Sequence, residues 1–366
     1  MLNVNKDRLI KSFTDMAKIS SPSWHEERIM NYIIKRLTKL GAEIEKFPCN
    51  SSYNLLARIP GTLEKKPLLL SAHMDTVVPC EKVVPVETDR RITSDGTSIL
   101  GADDKSAIAM FLEALEVLKE TKADHGPIEV LISCAEELGL LGIKQFDMSV
   151  LKSPLAFVFD SGGSVGKIIM KAPYHSSMEL FVKGKAAHAG MEPENGVSAI
   201  HILAKIIARL PDGRIDEETT TNVGIISGGK ATNIVAPEAY CKLEVRSISK
   251  NKLKEIETQI RTITREIAKT NNAKVTIKRH LEYPGFTLKE NDRIVRITRK
   301  ALESIGLQPS LEISGGGSDT NIFNRSGIKA INLSCGMQKV HTTDEYITKK
   351  DLVDGARLTL AIIKGV

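Results

Sequence analysis

The sequence predicts an α/β protein whose central sheet is mixed, mostly parallel and flanked by helices, with a smaller α+β domain inserted into it. Short apolar segments alternate with helical patterns in residues 1–176 and again in residues 285–366, as in parallel sheets with crossover helices. Between them, residues 177–284 follow the order strand, helix, strand, strand, helix, strand, which is that of ferredoxin-like domains. We therefore expect one α/β domain in two parts, 1–176 and 285–366, around an inserted domain, 177–284.

The first part contains an amphipathic helix that we predict over Ser23–Leu40. Ser23 and Glu26 form a possible capping box at its start, and Gly41 ends the pattern. The apolar side chains that recur along one face are Ile29, Ile33 and Leu37.

The next apolar runs are too short and too continuous to be surface helices, and they are typical of buried parallel strands. A small-residue helix is predicted over Ser106–Glu120, directly after Gly101–Lys105. The segment from 77 to 99 is predicted to leave the sheet as a hairpin. The runs assigned to buried strands are Leu68–Leu70, Ile128–Ala135 and Pro154–Phe159.

Polar side chains with ligand or acid–base chemistry stand where these strands end or the helix begins. Each has an ordinary explanation: an N-cap aspartate, a glutamate-rich first helical turn, or an aspartate before a glycine turn. Parallel strands place their carboxyl ends side by side, so polar side chains at several strand ends favour one shared site. A cation in that site would relieve the repulsion between adjacent carboxylates. The residues are His73, Asp75, Asp103, Glu136, Glu137 and Asp160.

The inserted domain is predicted from one strongly amphipathic helix and the strands around it. It also carries His188, in Ala-His-Ala-Gly, and Arg246, in Glu-Val-Arg-Ser. The predicted elements are a strand at Met178–Ala187, a helix at Val197–Leu210, strands at Asn222–Ile226 and Ala239–Ser247, a helix around 253–267, and a strand at Lys274–His280.

The last part returns to the α/β pattern and contains a glycine-rich turn at Ser314–Asp319. This turn lacks the Lys-Ser/Thr of a phosphate-binding loop, so we interpret Gly316 as backbone that allows a substrate to approach closely. The other predicted elements are a helix at Ile294–Ile305, strands at Pro309–Ile313 and Lys329–Ser334, a loop with His341, and a helix at Asp351–Lys364.

Composition excludes several classes of function. Aromatic residues make up only 4% of the chain, and the 51 basic and 45 acidic residues form no dense basic block, so we expect no nucleic-acid partner. No apolar run approaches the ~18 residues that cross a bilayer, so we expect no membrane partner. The five cysteines are scattered without a Cys-x-x-Cys pair, and the chain does not start like a signal peptide, which predicts reduced thiols in the cytoplasm.

Motifs distributed along nearly the whole chain resemble those of one family of enzymes. They are Ser71–Thr76, Gly101–Lys105, Ala135–Gly139, Asp160–Gly163, Gly184–Gly190 and the C-terminal His341. The sequence is similar to the two-metal peptidases and deacylases that include carboxypeptidase G, aminoacylase-1 and peptidase T. The segments His-Met-Asp-Thr and Ala-Asp-Asp-Lys most resemble the peptidase T branch. The resemblance implies the zinc exopeptidase, phosphorylase/hydrolase-like fold with an inserted lid and dimerisation domain.

The resemblance also implies a set of metal ligands. His73 and Asp160 would bind one ion, Glu137 and His341 would bind the other, and Asp103 would bridge the two. The family's ions are most often Zn²⁺, with Co²⁺ or Mn²⁺ as alternatives that suit the same ligands. A cis peptide is usual after the bridging aspartate, here between Asp103 and Asp104.

The remaining implied roles concern catalysis and substrate binding. Asp75 would orient His73 through a hydrogen bond to its ring. Glu136 would be the general base that takes a proton from water to give the hydroxide that the two metals would share. His188 would help to bind the substrate carbonyl or the oxyanion, often across a dimer interface. Asn233 and Arg246 match positions that hold the backbone or carboxylate of the substrate.

The sequence therefore predicts a cytoplasmic, homodimeric zinc metallo-exopeptidase that releases the N-terminal residue from tripeptides or other short peptides. A carboxypeptidase or an N-acyl-amino-acid deacylase with the same metal chemistry is the alternative within enzymes. A non-catalytic peptide-binding protein is the remote alternative, and it predicts the loss of the base or of a ligand. Glu136 and all five candidate ligands are present in this chain.

Overall fold

The structure is a computed structural model that describes residues 3–366 and divides into two compact units. The first unit comprises the chain up to Met170 together with Thr287–Ile313 and Ser318–Val366. The second unit comprises Lys171–Phe286 and Ser314–Gly317. The predicted boundaries of the inserted domain, residues 177 and 284, lie inside the longer segment of this second unit.

Helices and strands alternate along most of the chain. The helices are α1 (Lys6–Ala17), α2 (Glu27–Lys39), α3 (Ala102–Thr121), α4 (Leu141–Lys144), α5 (Ala199–Ile207), α6 (Lys250–Thr270), α7 (Arg293–Ser304), α8 (Asp319–Arg325) and α9 (Lys349–Gly365). The strands up to residue 183 are β1 (Glu43–Cys49), β2 (Ser52–Ile59), β3 (Leu68–His73), β4 (Val86–Glu87), β5 (Arg91–Thr93), β6 (Ile128–Ser133), β7 (Leu155–Ser161), β8 (Lys167–Ala172) and β9 (Tyr174–Lys183). The later strands are β10 (Gly213–Asp216), β11 (Thr219–Gly228), β12 (Glu238–Ser247), β13 (Lys274–Tyr283), β14 (Phe286–Thr287), β15 (Ser310–Ile313), β16 (Lys329–Ser334), β17 (Met337–Gln338) and β18 (Tyr346–Thr348).

The main sheet confirms the predicted mixed, mostly parallel arrangement. Its strand order is β1-β2-β6-β3-β7-β16-β8-β14, with β15 paired to β8. The central strands β6, β3, β7 and β16 run parallel, while β2 and β8 add antiparallel pairs at the sides. Both β3 and β6 are buried along their whole length, which explains their continuous apolar sequences. The helices α1, α3, α9 and α7 pack on one another in that order, and α3 covers β3 and β7.

The segment between β3 and α3 forms the predicted hairpin. Strand β4 pairs antiparallel with β5, and both belong to a small sheet of order β17-β18-β5-β4. The loop between β17 and β18 carries His341.

The second unit has the predicted strand–helix–strand–strand–helix–strand order. Its sheet runs β10-β11-β12-β9-β13 with antiparallel pairing throughout, and β10 is an extra edge strand that the sequence pattern did not indicate. Helices α5 and α6 pack on this sheet, and their buried side chains form one core with those of the strands. The helix predicted around residues 253–267 is confirmed as α6, since its apolar positions are buried at helical spacing.

Two local predictions in the first unit are wrong. No capping box forms at α2, because Ser23 Oγ donates a hydrogen bond to Asp75 Oδ2 (2.7 Å) and Glu26 Oε1 accepts one from the backbone N–H of Ala135 (3.0 Å). The glutamate-rich first helical turn that would explain Glu136 and Glu137 does not form, because Leu140 adopts a left-handed conformation and α4 begins only at Leu141. The glutamates that precede α4 therefore lie in a turn and not in a first helical turn.

All five cysteines are unpaired and buried. Among residues 3–366, every helix is too short or too polar to span a bilayer.

Candidate metal centre

His73 ends the central strand β3 and faces two carboxylates. Its Nδ1 lies 3.0 Å from the backbone oxygen of Asp75, and its Nε2 lies 3.0 Å from Asp103 Oδ1 and 3.9 Å from Asp160 Oδ1. A carbonyl oxygen only accepts hydrogen bonds, so Nδ1 carries a proton. Nε2 faces carboxylate oxygens, and this arrangement is favourable when Nε2 binds a cation through its lone pair or when the ring is protonated and Nε2 donates to Asp103.

His341 faces the same aspartate from a distant part of the chain. Its Nε2 lies 3.3 Å from Asp103 Oδ2 and 3.0 Å from Glu137 Oε1. The two oxygens of Asp103 thus face two histidines that are far apart in sequence. Such a carboxylate has the geometry of a ligand shared between two ions.

The donor atoms are close enough for metal ions. One group, His73, Asp104 and Asp160, and a second, His73, Asp103 and Glu137, each have ligand atoms within 4.8 Å of one another. Imidazole nitrogen and carboxylate oxygen are ligands that suit Zn²⁺, Co²⁺ or Mn²⁺. The residues therefore fit divalent ions, and the chain carries ligand groups for two of them. Asp104 was not among the predicted ligands.

Asp75 lies behind His73 and connects it to the turn after β6. Its carboxylate accepts hydrogen bonds from Ser23 Oγ and from the backbone N–H groups of Glu136 (3.0 Å) and Glu137 (3.2 Å). Its Oδ1 lies 3.4 Å from His73 Nδ1, farther than its own backbone oxygen. Burial opposes its ionisation, but the adjacent His73 imidazole and, after it, the hydrogen bonds from Ser23 and Glu136 hold the pKa of Asp75 below its usual value.

Glu136 is buried in the turn after β6 and belongs to neither of the two donor groups. Burial raises its pKa well above the usual range, and the charge of Asp160 adds to the effect. The same burial raises the pKa of Asp160. Clustered carboxylates of this kind are characteristic of functional sites.

Glu345, a residue that the sequence analysis did not identify, binds the backbone at the start of α3. The peptide between Asp103 and Asp104 is cis, as the resemblance implied. Glu345 Oε2 accepts the N–H of Gly101 at 2.6 Å, and its Oε1 accepts that of Asp103 at 2.9 Å. Burial, with the nearby charge of Asp103, raises the pKa of Glu345 to about 7. In the sequence, the one feature that connects Glu345 with the centre is its position four residues after His341.

Asp319 is a second residue that sequence reasoning missed. It begins α8, it is buried, and its Oδ2 accepts a hydrogen bond from Ser133 Oγ at 2.5 Å. Its Oδ1 has no hydrogen-bond partner within residues 3–366. Burial raises the pKa of Asp319 to about 6. The glycine-rich turn pointed to Gly316 in the sequence, and not to the buried aspartate that ends this turn.

The second unit holds His188 and Asn233 on adjoining loops. His188 is exposed, and its Nδ1 accepts hydrogen bonds from the N–H groups of Gly190 and Met191, both at 3.2 Å. Its Nε2 therefore carries the proton and is available as a donor. The backbone oxygen of Asn233 accepts the N–H of Ala189 at 2.9 Å, which ties the two loops together.

Arg246 lies on β12 and is held by an acidic neighbour. Its Nε and Nη2 donate to the two carboxylate oxygens of Glu244 at 3.0 and 3.1 Å, and its Nη1 donates to the hydroxyl of Tyr283 at 3.3 Å. His175 Nε2 lies 3.1 Å from Glu244 Oε2. The close His175 imidazole and the hydrogen bonds from Arg246 lower the pKa of Glu244 to about 2. The guanidinium is thereby fixed in one orientation.

The glycine-rich segment of this unit packs on Tyr283. A Cβ on Gly317 would lie 2.4 Å from the ring of Tyr283, so only glycine fits there. Gly316 is less constrained, because its nearest neighbour at that position is Ser314 Oγ at 3.9 Å. Its N–H donates to Ser314 Oγ at 3.0 Å. Close packing therefore requires Gly317, while the substrate-binding role of Gly316 stays a prediction.

Comparisons with known proteins agree with the fold. A family model described as the peptidase dimerisation domain matches residues 174–272, and one described as peptidase family M28 matches residues 54–198. The uncharacterised protein YqjE of Bacillus subtilis is 38% identical over 366 residues, with 99% of both chains covered.

Two solved structures are similar over nearly the full length. An aminopeptidase, PepT, from Bacillus cereus has a TM-score of 0.91 at 38% identity, with 99% of both chains covered. A tripeptidase from Staphylococcus aureus has a TM-score of 0.94 at 36% identity, with 99% of this chain and 98% of that chain covered. The resemblance indicated by the motifs is confirmed. This chain belongs to the family of two-metal peptidases that includes PepT.

Proposed function

We propose that this protein is an aminopeptidase that uses two metal ions to release the N-terminal residue from tripeptides or other short peptides. One observation carries the proposal: the two oxygens of Asp103 face His73 and His341 at 3.0 and 3.3 Å. The family supports the direction of cleavage, because two full-length relatives are named as an aminopeptidase and a tripeptidase.

We assign one ion to His73 and Asp160 and the other to Glu137 and His341, with Asp103 between them. The mixed imidazole and carboxylate donors suit Zn²⁺ best, with Co²⁺ or Mn²⁺ as alternatives. When bound, such a pair of ions polarises the scissile carbonyl and lowers the pKa of a bound water.

Glu136 is the residue we assign to proton transfer. Its backbone N–H is fixed by Asp75, and its carboxylate is buried beside Asp160 without belonging to the donor groups. It would take a proton from the attacking water and deliver it to the nitrogen of the leaving amine. The exposed Nε2–H of His188 supports its assignment as a donor to the substrate carbonyl, and Asn233 and Arg246 are assigned to the backbone and carboxylate of the peptide.

We also propose a homodimer and a cytoplasmic location. The match to a peptidase dimerisation domain over residues 174–272 supports a homodimer formed through the second unit. Five buried, unpaired cysteines support a reducing location, and we propose the cytoplasm.

A sequence-asymmetric tripeptide tests the function directly. With Leu-Gly-Phe, we expect leucine and Gly-Phe to appear first in a chromatographic time course. N-acetyl-Leu-Gly-Phe should be cut more slowly by a factor of about 10² or more, since a site that binds a free amine rejects an analogue lacking it. Early release of phenylalanine would show a carboxypeptidase. Cleavage of the acetylated and the free peptide at equal rates would show that the enzyme does not recognise the free amine.

Glu244→Gln tests whether Arg246 holds the substrate carboxylate. The variant loses the charged pair that orients the guanidinium, so KM for Leu-Gly-Phe should rise about tenfold with little change in kcat. The C-terminal amide of the same peptide has no carboxylate, and its KM should be unaffected. Glu179→Gln is the matched control, because Glu179 lies on neighbouring β9 and forms no ion pair among the residues described. An equal rise in KM for the acid and the amide would contradict the assignment.

A further inference from the structure

A groove of about 600 Å³ lies between α7 and α9 of the first unit. Its floor is apolar, and its rims carry basic side chains from both helices. The floor residues are Ile297, Ala301, Ile305, Leu360 and Ala361. None of the lining residues belongs to the metal centre.

The basic residues of the rims are brought together by helical spacing. Arg293, Arg296 and Lys300 are separated by three and four positions on α7, so they share one face of that helix. Arg357 and Lys364, seven positions apart, share one face of α9. No dense basic block marks them in the sequence, because they come from two segments more than 50 residues apart.

Most of these cations have no counter-charge. The side chains of Arg293, Arg296, Lys300 and Lys364 have no hydrogen bond or ion pair with any residue that the structure describes. Arg357 donates to Asp354 Oδ1 at 3.2 Å and to the backbone oxygen of Ile305 at 3.1 Å. No carboxylate side chain lines the groove among the residues described. Like charges on facing walls repel each other, and an anion between them would relieve that repulsion.

We propose that this groove binds a small organic anion, whose apolar body lies on the floor and whose phosphate or carboxylate lies between the rims. The volume is in the range of small-molecule sites. Guanidinium and ammonium groups on both walls are the donors that bind phosphate and carboxylate. The apolar floor favours an organic ligand over a bare inorganic ion, because an organic ligand buries apolar surface against the floor and an inorganic ion has no such surface. The proposal is independent of the peptidase activity.

The test uses the full-length protein and the fluorescent sulfonate 8-anilinonaphthalene-1-sulfonate at about 150 mM salt, where exposed charges are well screened. We expect saturable binding of this probe. Octyl phosphate should displace it at a concentration about tenfold or more below that of inorganic pyrophosphate, because only octyl phosphate covers the apolar floor.

In the variant Arg296→Gln/Lys300→Gln, the affinity for the probe and the affinity for octyl phosphate should both fall by about tenfold or more. The matched control is Arg299→Gln, which removes a charge from the same helix at a residue that pairs with Glu290 and does not line the groove. The control should bind both as the unmodified protein does, and thermal unfolding should show all proteins folded. Equal weakening in variant and control, displacement by pyrophosphate as effective as by octyl phosphate, or no saturable binding would overturn the proposal.

Discussion

Replacement of Glu136 by glutamine is expected to lower kcat for Leu-Gly-Phe by about 10³-fold while both metal ions stay bound. General acid–base catalysis by a positioned carboxylate contributes ~10²–10⁴-fold, and an amide of the same size cannot take the proton from water. The position of the turn should not change, because Asp75 binds the backbone N–H groups of Glu136 and Glu137 and not their side chains. Steady-state kinetics and elemental analysis of dialysed protein measure the two outcomes.

The adjacent residue provides the control for that experiment. Glu137→Gln removes a carboxylate that lies 3.0 Å from His341, so it should reduce the bound metal from two ions toward one. The two variants differ by one position in the same turn and should separate catalysis from metal binding. If the Glu136→Gln variant stays active, Glu136 is not the general base. If the variant loses a metal ion, Glu136 is a metal ligand.

The convergence of His73, Glu136 and Asp160 was predictable because it follows from sheet topology alone. Each residue lies at the end of one of the strands β3, β6 and β7, which the structure places next to one another in parallel. Carboxyl ends of adjacent parallel strands meet at one edge, so the strand assignment was sufficient. The placement of His341 required the family resemblance, since a loop residue has no periodicity that fixes its position.

Residues whose role depends on a single tertiary contact were not predictable. Ser23 fits a capping box in sequence, yet its hydroxyl bonds to Asp75, 52 positions away. Glu345 holds the backbone of Gly101 and Asp103 over a separation of more than 240 residues. The basic groove between α7 and α9 was missed for the same reason. Local patterns report which face of an element is buried, and they do not report which distant element covers it.

Asp103→Ala is expected to abolish the binding of both metal ions and to lower kcat to the limit of detection. The two Asp103 oxygens face His73 and His341, so one substitution removes a donor from each half of the centre. His341→Ala removes a donor from one half only and should leave about one ion per chain. Elemental analysis after dialysis distinguishes these results.

Thermal unfolding gives a readout of Asp103→Ala that does not depend on activity. A ligand that binds only the folded state stabilises it by about 2.7 kcal/mol at a hundredfold excess over its Kd. A chelator should therefore lower the Tm of the unmodified protein and leave that of the Asp103→Ala variant unchanged. Glu345→Gln provides an intermediate case. The amide has one oxygen and can accept only one of the two hydrogen bonds that Glu345 accepts from the N–H groups of Gly101 and Asp103, yet no metal ligand is removed, so this variant should bind both ions with reduced affinity. Two tightly bound ions in the Asp103→Ala variant would show that the centre is built without a shared carboxylate, and the assignment of every other ligand would then have to change with it.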